Sequence, residues 1–384
     1  MKFLPTLIPA NHFGIADIHL TSSNVTEADH PAWNVGTAYV VGNRVTIISP
    51  SATVTMTIAS PCVVTWTAHG LPDGTPVRIT TTGSLPTGVI AGQIYFIRVL
   101  TVNTFYLAQK PGGEPLSTSG SQGGTHTGLA TRHDVYESQT SNTGKPPAIN
   151  PNDWLRVDST NRWRMHDNSM GSQTSNNDSI TNVYEALQII DAAALMNISA
   201  ATVQITVTDA VEGVVFDKTV SGIAPISVSS FYAWGFEPIV RVTDMLITGL
   251  PPYINADIAV TLADTGNTVL CGNLVLGKIR DFGATDYGMS MRIDDYSVKN
   301  KNTFGIYTVL EGAYSRRLEA TVYVDRGSVD AVFNLLASYR AIPAVFVGAE
   351  EYGSSILFGY VTTFNPVVSF FSTSLMKIEV EGLI

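Results

Sequence analysis

The sequence predicts a mainly β chain, with several small β-sandwich or β-barrel-like domains followed by a C-terminal α+β domain. Three observations carry this. Period-2 alternation recurs, as where Val54, Met56 and Ile58 alternate with Thr53, Thr55 and Thr57. Turn residues punctuate the strands at short intervals, including Leu71-Pro72-Asp73-Gly74 and Pro86-Thr87-Gly88. Near the C-terminus, Val329, Val332, Phe333, Leu336 and Tyr339 share one face of a helix.

In chain order, residues 1–30 read as an irregular N-terminal arm whose only regular hint is Phe13 to Leu20. Residues 31–51 together with 131–170 form a small aromatic domain. Residues 52–130 form an inserted β domain, with strands at Cys62–Ala68, Pro76–Thr81, Gln93–Leu100 and Asn103–Ala108, then a Gly/Ser/Thr-rich loop over 117–127. The Ser/Asn/Gln/Gly stretch 168–177 reads as a linker that opens a β-sandwich domain over 171–300. Thr202–Thr208 and Ile258–Leu262 alternate well there, and Val269–Ile279 is a long apolar run whose Gly272 and Gly277 suggest a bulge or bend. Val183–Leu195 fits a helical stripe as well as a strand. Residues 301–384 carry a strand–helix–strand pattern. Leu318–Val324 is a strand, Ser328 a candidate N-cap and Asp330 a favourable first-turn acid. Pro343 stops the helix before the strand Ala344–Val347, and strands at Ile356–Thr362 and Ser374–Glu381 follow.

Composition narrows the function classes. The 384 residues suggest two to four domains at roughly 100–200 residues each. Charged residues are only 14%, against about 25% in ordinary globular proteins. The net charge is −10. Residues 1–174 balance 10 basic against 10 acidic groups, whereas residues 175–384 hold 12 basic and 22 acidic ones. An acidic chain lacks the clustered Lys and Arg that neutralise phosphates, so no nucleic-acid partner is expected. No apolar run reaches the length of about 18 residues that a membrane-spanning helix needs. Pro5 and Pro9 interrupt the short apolar N-terminus, and no signal peptide is expected. Cys62 and Cys271 lie too far apart in sequence to suggest a ligand pair, and read as buried free thiols.

Local signatures of catalysis are missing. The chain has no G-x-S-x-G, H-E-x-x-H, Walker or G-x-G-x-x-G segment. The doublets Asp294-Asp295 and Glu350-Glu351 point to opposite faces if they lie on strands, so neither makes an acid–base pair by itself. His133-Asp134 and His166-Asp167 supply two potential ligands each, short of the three or four a metal site requires. No catalytic residue, metal or cofactor is expected.

The aromatic residues are the most informative. Trp33-x5-Tyr39-x2-Gly42-x2-Val45 is followed, after the β insertion, by Tyr136, Asn142-Thr143-Gly144-Lys145-Pro146 and Trp154. This pattern resembles small three-stranded chitin-binding-type carbohydrate modules, interrupted here by about 80 residues at a loop tip that tolerates insertion. The resemblance implies that Trp33, Tyr39, Tyr136 and Trp154 are glycan-binding candidates, since aromatic faces stack on sugar rings. The alternative, which the size of the module favours, is that the same residues form its core.

Two further resemblances cover most of the chain. Trp66-Thr67-Ala68-His69-Gly70-Leu71, Gly83-Ser84-Leu85-Pro86-Thr87-Gly88, Asn103-Thr104-Phe105 and Gly123-Gly124-Thr125-His126-Thr127 look like a β module of tailed-bacteriophage tail and fibre proteins. In it His69 and His126 stabilise turns. Asn161-Arg162-Trp163-Arg164-Met165-His166-Asp167, Cys271-Gly272, Asp295-Tyr296-Ser297-x-Lys299 and the closing Ile378-Glu379-Val380-Glu381-Gly382-Leu383-Ile384 look like phage virion proteins of the tail tip and baseplate. They imply a non-enzymatic structural role in the virion, with other tail proteins as partners, a homo-oligomer or ring, and host surface polysaccharide as a further partner. Glycan-binding receptor recognition is the alternative, and polysaccharide depolymerisation the least supported. A low-charge, Thr/Ser-rich surface suits such assembly because it has little Lys and Glu rotamer entropy to lose at interfaces.

Overall fold

The computed structural model describes the chain apart from residues 6–18, 168, 186, 225–229, 232–235, 237–239, 302, 341, 368–371 and 384. The fold is mainly β, built of antiparallel sheets with one short C-terminal helix among the described residues. It divides into two compact units, Thr26–Trp163 and the combination of Met1–Val25 with Arg164–Ile384.

In the unit Thr26–Trp163, a three-stranded sheet orders Trp154–Ser159, His133–Ser138 and Arg44–Ile48. A small pair, Ala38–Tyr39 with Asn142–Thr143, accompanies it. A closed six-stranded barrel runs in the order His126–Ala130, Ser51–Met56, Val63–Thr65, Thr104–Ala108, Ile94–Thr101, Pro76–Thr81 and back to His126–Ala130. The barrel is spliced in where Ile48 pairs with His133, so the two neighbouring strands of the sheet serve as its entry and exit. Closure removes the exposed edges that short strands would otherwise present. Val54, Val64, Ile79, Ile97, Phe105 and Leu107 fill the barrel, the inward half of each alternating strand. Gly128 is required there, because a Cβ would sit 2.8 Å from the ring of Trp66. His69 fastens a turn: the Leu71 N–H donates to Nδ1 at 3.0 Å, and Nε2 lies 3.0 Å from the Thr101 carbonyl. His126 Nδ1 lies 2.8 Å from the Thr81 hydroxyl on the neighbouring strand.

In the other unit, the 21-residue strand Asp257–Gly277 changes neighbours along its length. Its first part pairs with Thr202–Asp209, and its second with Ala192–Ser199. Thr174–Glu185 follows its other side from Asp257 to Cys271, with an irregularity where Asp178 and Gly266 take positive φ. The resulting bent sheet wraps a core that includes Tyr184, Leu195, Val203, Ile205, Leu262 and Cys271. Burial pushes the Cys271 thiol up to about 12, and Cys62 is raised by burial as well, so both free cysteines are poor nucleophiles.

An eight-stranded antiparallel sheet completes this unit, with the order Arg280–Asp281, Lys2–Leu4, Ala344–Val347, Ile356–Val367, Thr373–Gly382, Tyr314–Asp325 and Ala284–Thr285, and with Ser290–Asp295 also pairing along Tyr314–Asp325. The helix Val329–Ser338 packs its Val332 and Leu336 into the core of this sheet.

Several expectations need correction. Residues 1–30 are not an irregular arm throughout, since Lys2–Leu4 and Leu20–Ser23 are strands, although most of the Phe13–Leu20 stretch lies outside the described residues. Their order comes from partners hundreds of residues away: Phe3 and Leu4 are fully buried, and Phe3 packs on Phe282, Tyr339 and Phe346. The 168–177 stretch is shorter as a linker than its composition suggests, because Thr174 already pairs with Cys271. Within Val183–Leu195, the described residues 183–185 and 192–195 are strand and those between them are not helical, as pairing with Asp257–Gly277 overrides a weak helical stripe. The strands flanking the helix are separated by two others and run antiparallel, so the strand–helix–strand run is not a parallel crossover. Ser328 stands at the helix N-cap without a capping side-chain hydrogen bond, because the chain enters through the 3-10 turn Arg326–Ser328.

Candidate functional sites

The four aromatic candidates come together, but mostly as a core. Tyr39, Tyr136 and Trp154 are buried and pack with Val45, and Trp33 is half-buried against them. The Tyr39 and Trp154 rings meet edge-to-face with centroids 5.0 Å apart. Their polar tips are used internally. Trp154 Nε1 donates to the Lys145 carbonyl at 3.0 Å, and the Asn34 N–H donates to the Tyr39 hydroxyl at 2.7 Å. The Tyr136 hydroxyl accepts from Arg132, whose guanidinium also binds Asp134; Arg156 approaches the other oxygen of that carboxylate at 2.7 Å. A buried ring face cannot stack on a sugar, so the carbohydrate-module pattern here specifies packing at Tyr39, Tyr136 and Trp154. The Asn142–Pro146 loop serves the same core, with Lys145 ion-paired to Asp153 at 2.7 Å.

A second constellation joins residues that sequence inspection left apart. Ser49 Oγ lies 3.2 Å from His133 Nε2, and His133 Nδ1 lies 2.6 Å from Glu27 Oε1. Glu27 also accepts from the Thr160 hydroxyl at 2.7 Å and lies near Arg162. The His133 ring stacks on Trp163, with centroids 4.0 Å apart and planes 17° from parallel. Burial acts to raise the Glu27 carboxyl, but the hydrogen bond and charge of His133, the Thr160 hydroxyl and Arg162 outweigh it and hold it below its ordinary value.

This order of hydroxyl, imidazole and carboxylate is the layout of an activated nucleophile. The serine's own backbone flank does not complete it. Ser49 donates its own N–H to the Arg132 carbonyl at 2.7 Å, and the next residue is Pro50, which has no N–H. The serine's own flank therefore offers no backbone donor to a developing oxyanion. Ser49 also sits at a φ of +28°, where the chain turns from Arg44–Ile48 into the barrel strand Ser51–Met56. The imidazole bridges this strained turn to the Glu27 segment, which makes the constellation a latch at the root of the barrel. Only His133 was visible as a candidate beforehand. Glu27 and Ser49 carry no local signature, because their partner lies 106 and 84 residues away respectively.

Most of the remaining sequence candidates are held by neighbours. Asp294 pairs with Arg292 and Arg317, and Lys299 brings Asp295 far below the usual carboxylate range by hydrogen bonding. Glu350 pairs with Lys2. His166 Nε2 lies 3.0 Å from the Tyr184 hydroxyl. Among the described residues, no three His, Cys, Asp or Glu side chains cluster as a metal site would require, and no helix is long and apolar enough to cross a membrane. A cleft of about 290 Å³ is lined by Asn197, Thr243, Asp244, Tyr314 and Arg316. Its two charges neutralise each other, with Arg316 3.0 Å from Asp244.

A β ribbon forms an exposed apolar surface. Ser290–Asp295 pairs with Tyr314–Asp325, and beyond it Val298–Lys301 pairs with Tyr307–Leu310 as a separate two-stranded sheet. Val298 and Leu310 are opposite each other in one register pair, and Lys299 and Val309 in the next, so apolar side chains project from both faces. Phe304 is 88% exposed, Leu310 69%, and Tyr307 and Val309 61% each.

Comparison with known proteins adds little. No protein-family profile and no curated protein matches the chain. A GH78 family rhamnosidase of Bacillus sp. GL1 aligns at 10% identity over 77% of this chain and 36% of that one, with a TM-score of 0.21. The chain thus spans about a third of that enzyme, and the likeness is too low to carry an argument about fold or activity.

Proposed function

We propose that this protein is a non-enzymatic structural component of a bacteriophage tail tip or baseplate, connecting tail parts or attaching fibres within the virion. The observation that carries the reading is the ribbon formed by Val298–Lys301 and Tyr307–Leu310, an exposed apolar surface on a mainly β scaffold. Exposed apolar patches of this kind mark sites of protein association. The resemblance of the 66–127 and 161–384 motifs to phage tail proteins supplies the class of particle. Two features support a role without chemistry: the Ser49–His133–Glu27 group lacks a donor on the serine's flank, and both thiols are buried. The glycan-binding alternative rests on Trp33 alone, because the other three aromatics are in the core.

The test is mass spectrometry and imaging of purified phage particles with antibody to this protein. The expected result is stoichiometric incorporation at the tail's distal end. A chain absent from particles, or one that releases reducing ends from host polysaccharide, would overturn the reading.

A further inference from the structure

We propose that the ribbon of residues 296–310 is the arm by which one copy of this chain docks onto the acidic surface of the next copy, head to tail. The proposal rests on the structural-component reading and deepens it by naming the occupant.

Area is the first argument. The apolar side chains between Tyr296 and Leu310 leave on the order of 800 Å² open, taking about 150–250 Å² for a whole aromatic side chain. The largest patch on an ordinary monomer is about 300–600 Å². A stable interface uses about 800 Å² from each partner, so this ribbon alone could supply one complete side of an interface.

Backbone pairing is the second. Among the described residues, Val298–Lys301 and Tyr307–Leu310 pair only with each other, which leaves both outer edges able to accept a strand. A two-stranded ribbon standing in water is marginally stable, and apolar side chains on both faces need a cover that one-sided packing cannot give. Insertion between elements of a neighbour meets both needs.

Charge selects the neighbour and the mode. Residues 296–310 contain Lys299 and Lys301 and no acidic group, whereas residues 175–384 as a whole carry 22 acidic against 12 basic groups. Asp295 meets Lys299 at the ribbon's base. Lys301 lies 5.3 Å from the centre of the Tyr307 ring and has no carboxylate partner among the described residues. With Lys299 held by Asp295, ribbon against ribbon would set the Lys301 of one copy against that of the other. Ribbon against the acidic body of another copy is complementary, and such a heterologous contact generates a ring or a filament.

Sedimentation of the full-length protein over a range of concentrations tests this, with the double variant Tyr307→Ser/Leu310→Ser and the single variant Lys301→Glu alongside. Far-ultraviolet circular dichroism checks that each variant keeps its fold. The expected result is reversible self-association of the wild type that weakens with salt. Association should fall by about tenfold or more in the double variant, and by a smaller factor in Lys301→Glu. A wild type that stays monomeric, or oligomers that all variants form equally well, would overturn the proposal. A monomer still found in phage particles hands the ribbon to a different tail protein and leaves the structural reading standing. A ribbon-dependent oligomer absent from particles does the reverse.

Discussion

In the sheet that pairs Arg44–Ile48 with His133–Ser138, Trp154 is 2% exposed, its indole N–H is satisfied by the Lys145 carbonyl, and Tyr39 meets it edge-on. In the ribbon of residues 296–310, Phe304 is 88% exposed, and the Val298 and Tyr307 strands have, among the described residues, neighbours on one side only. Both regions are short aromatic β segments with turns of similar chemistry. The first spends its aromatics on holding itself together, because a small sheet has few other means of burying surface. The second spends its aromatics outward, because its fold is anchored elsewhere, by the Ser290–Asp295 strand running into the eight-stranded sheet. Aromatic density in a small β module is therefore no guide to sugar binding until burial is known.

The contrast can be broken by mutation, and the largest effect belongs to the buried side. Trp154→Ala removes a fully buried indole and its hydrogen bond, and should cost about 3–5 kcal/mol in chemical denaturation of the 26–163 unit. A loss below about 1 kcal/mol would mean the ring is not core. Glu27→Gln should come next, at about 2 kcal/mol, because it withdraws the charge facing His133 and Arg162. The same carboxyl predicts a pH dependence. Its folded value is depressed, so its contribution is complete above the ordinary carboxylate range and is lost as pH falls through the lowered value. Acid titration of stability should therefore be steeper in wild type than in Glu27→Gln, and parallel curves would contradict the latch.

Ser49→Ala should cost about 1 kcal/mol, the scale of one partly buried hydrogen bond, and a fluorophosphonate probe should leave Ser49 unmodified. Covalent labelling at Ser49 that requires His133 would instead make this group a reaction centre. The smallest effect on stability should come from the ribbon: Tyr307→Ser/Leu310→Ser should stay within about 0.5 kcal/mol of wild type in the monomer, since neither side chain is buried.

Much of the architecture was legible because it is written locally. The alternation of Val54 and Met56 and the turns at 71–74 and 86–88 foretell barrel strands, and the stripe from Val329 to Leu336 foretells the helix. What escaped was non-local. Lys2–Leu4 becomes a strand only because Ala344–Val347 and Arg280–Asp281 flank it. Ser49 and His133 meet through sheet register and Glu27 reaches them from a segment outside any strand, neither of which a spacing rule reports. The ribbon could have been found: Val298–Lys301 and Tyr307–Leu310 are short β-prone runs around a Gly-containing segment, a hairpin pattern. Its exposure could not, since alternation says that a strand has two faces and not whether anything covers them. The carbohydrate-module spacing leaves open whether its rings face solvent or core.

Hydroxyl-radical footprinting of aromatic side chains, read by mass spectrometry in the dilute protein and in its assembled form, tests the central contrast most directly. The account predicts that Tyr39, Tyr136 and Trp154 are protected in both samples, while Phe304 and Tyr307 are oxidised when dilute and protected on assembly. Oxidation of Trp154 and Tyr136 in the folded dilute protein, or a ribbon labelled equally in both samples, would contradict it.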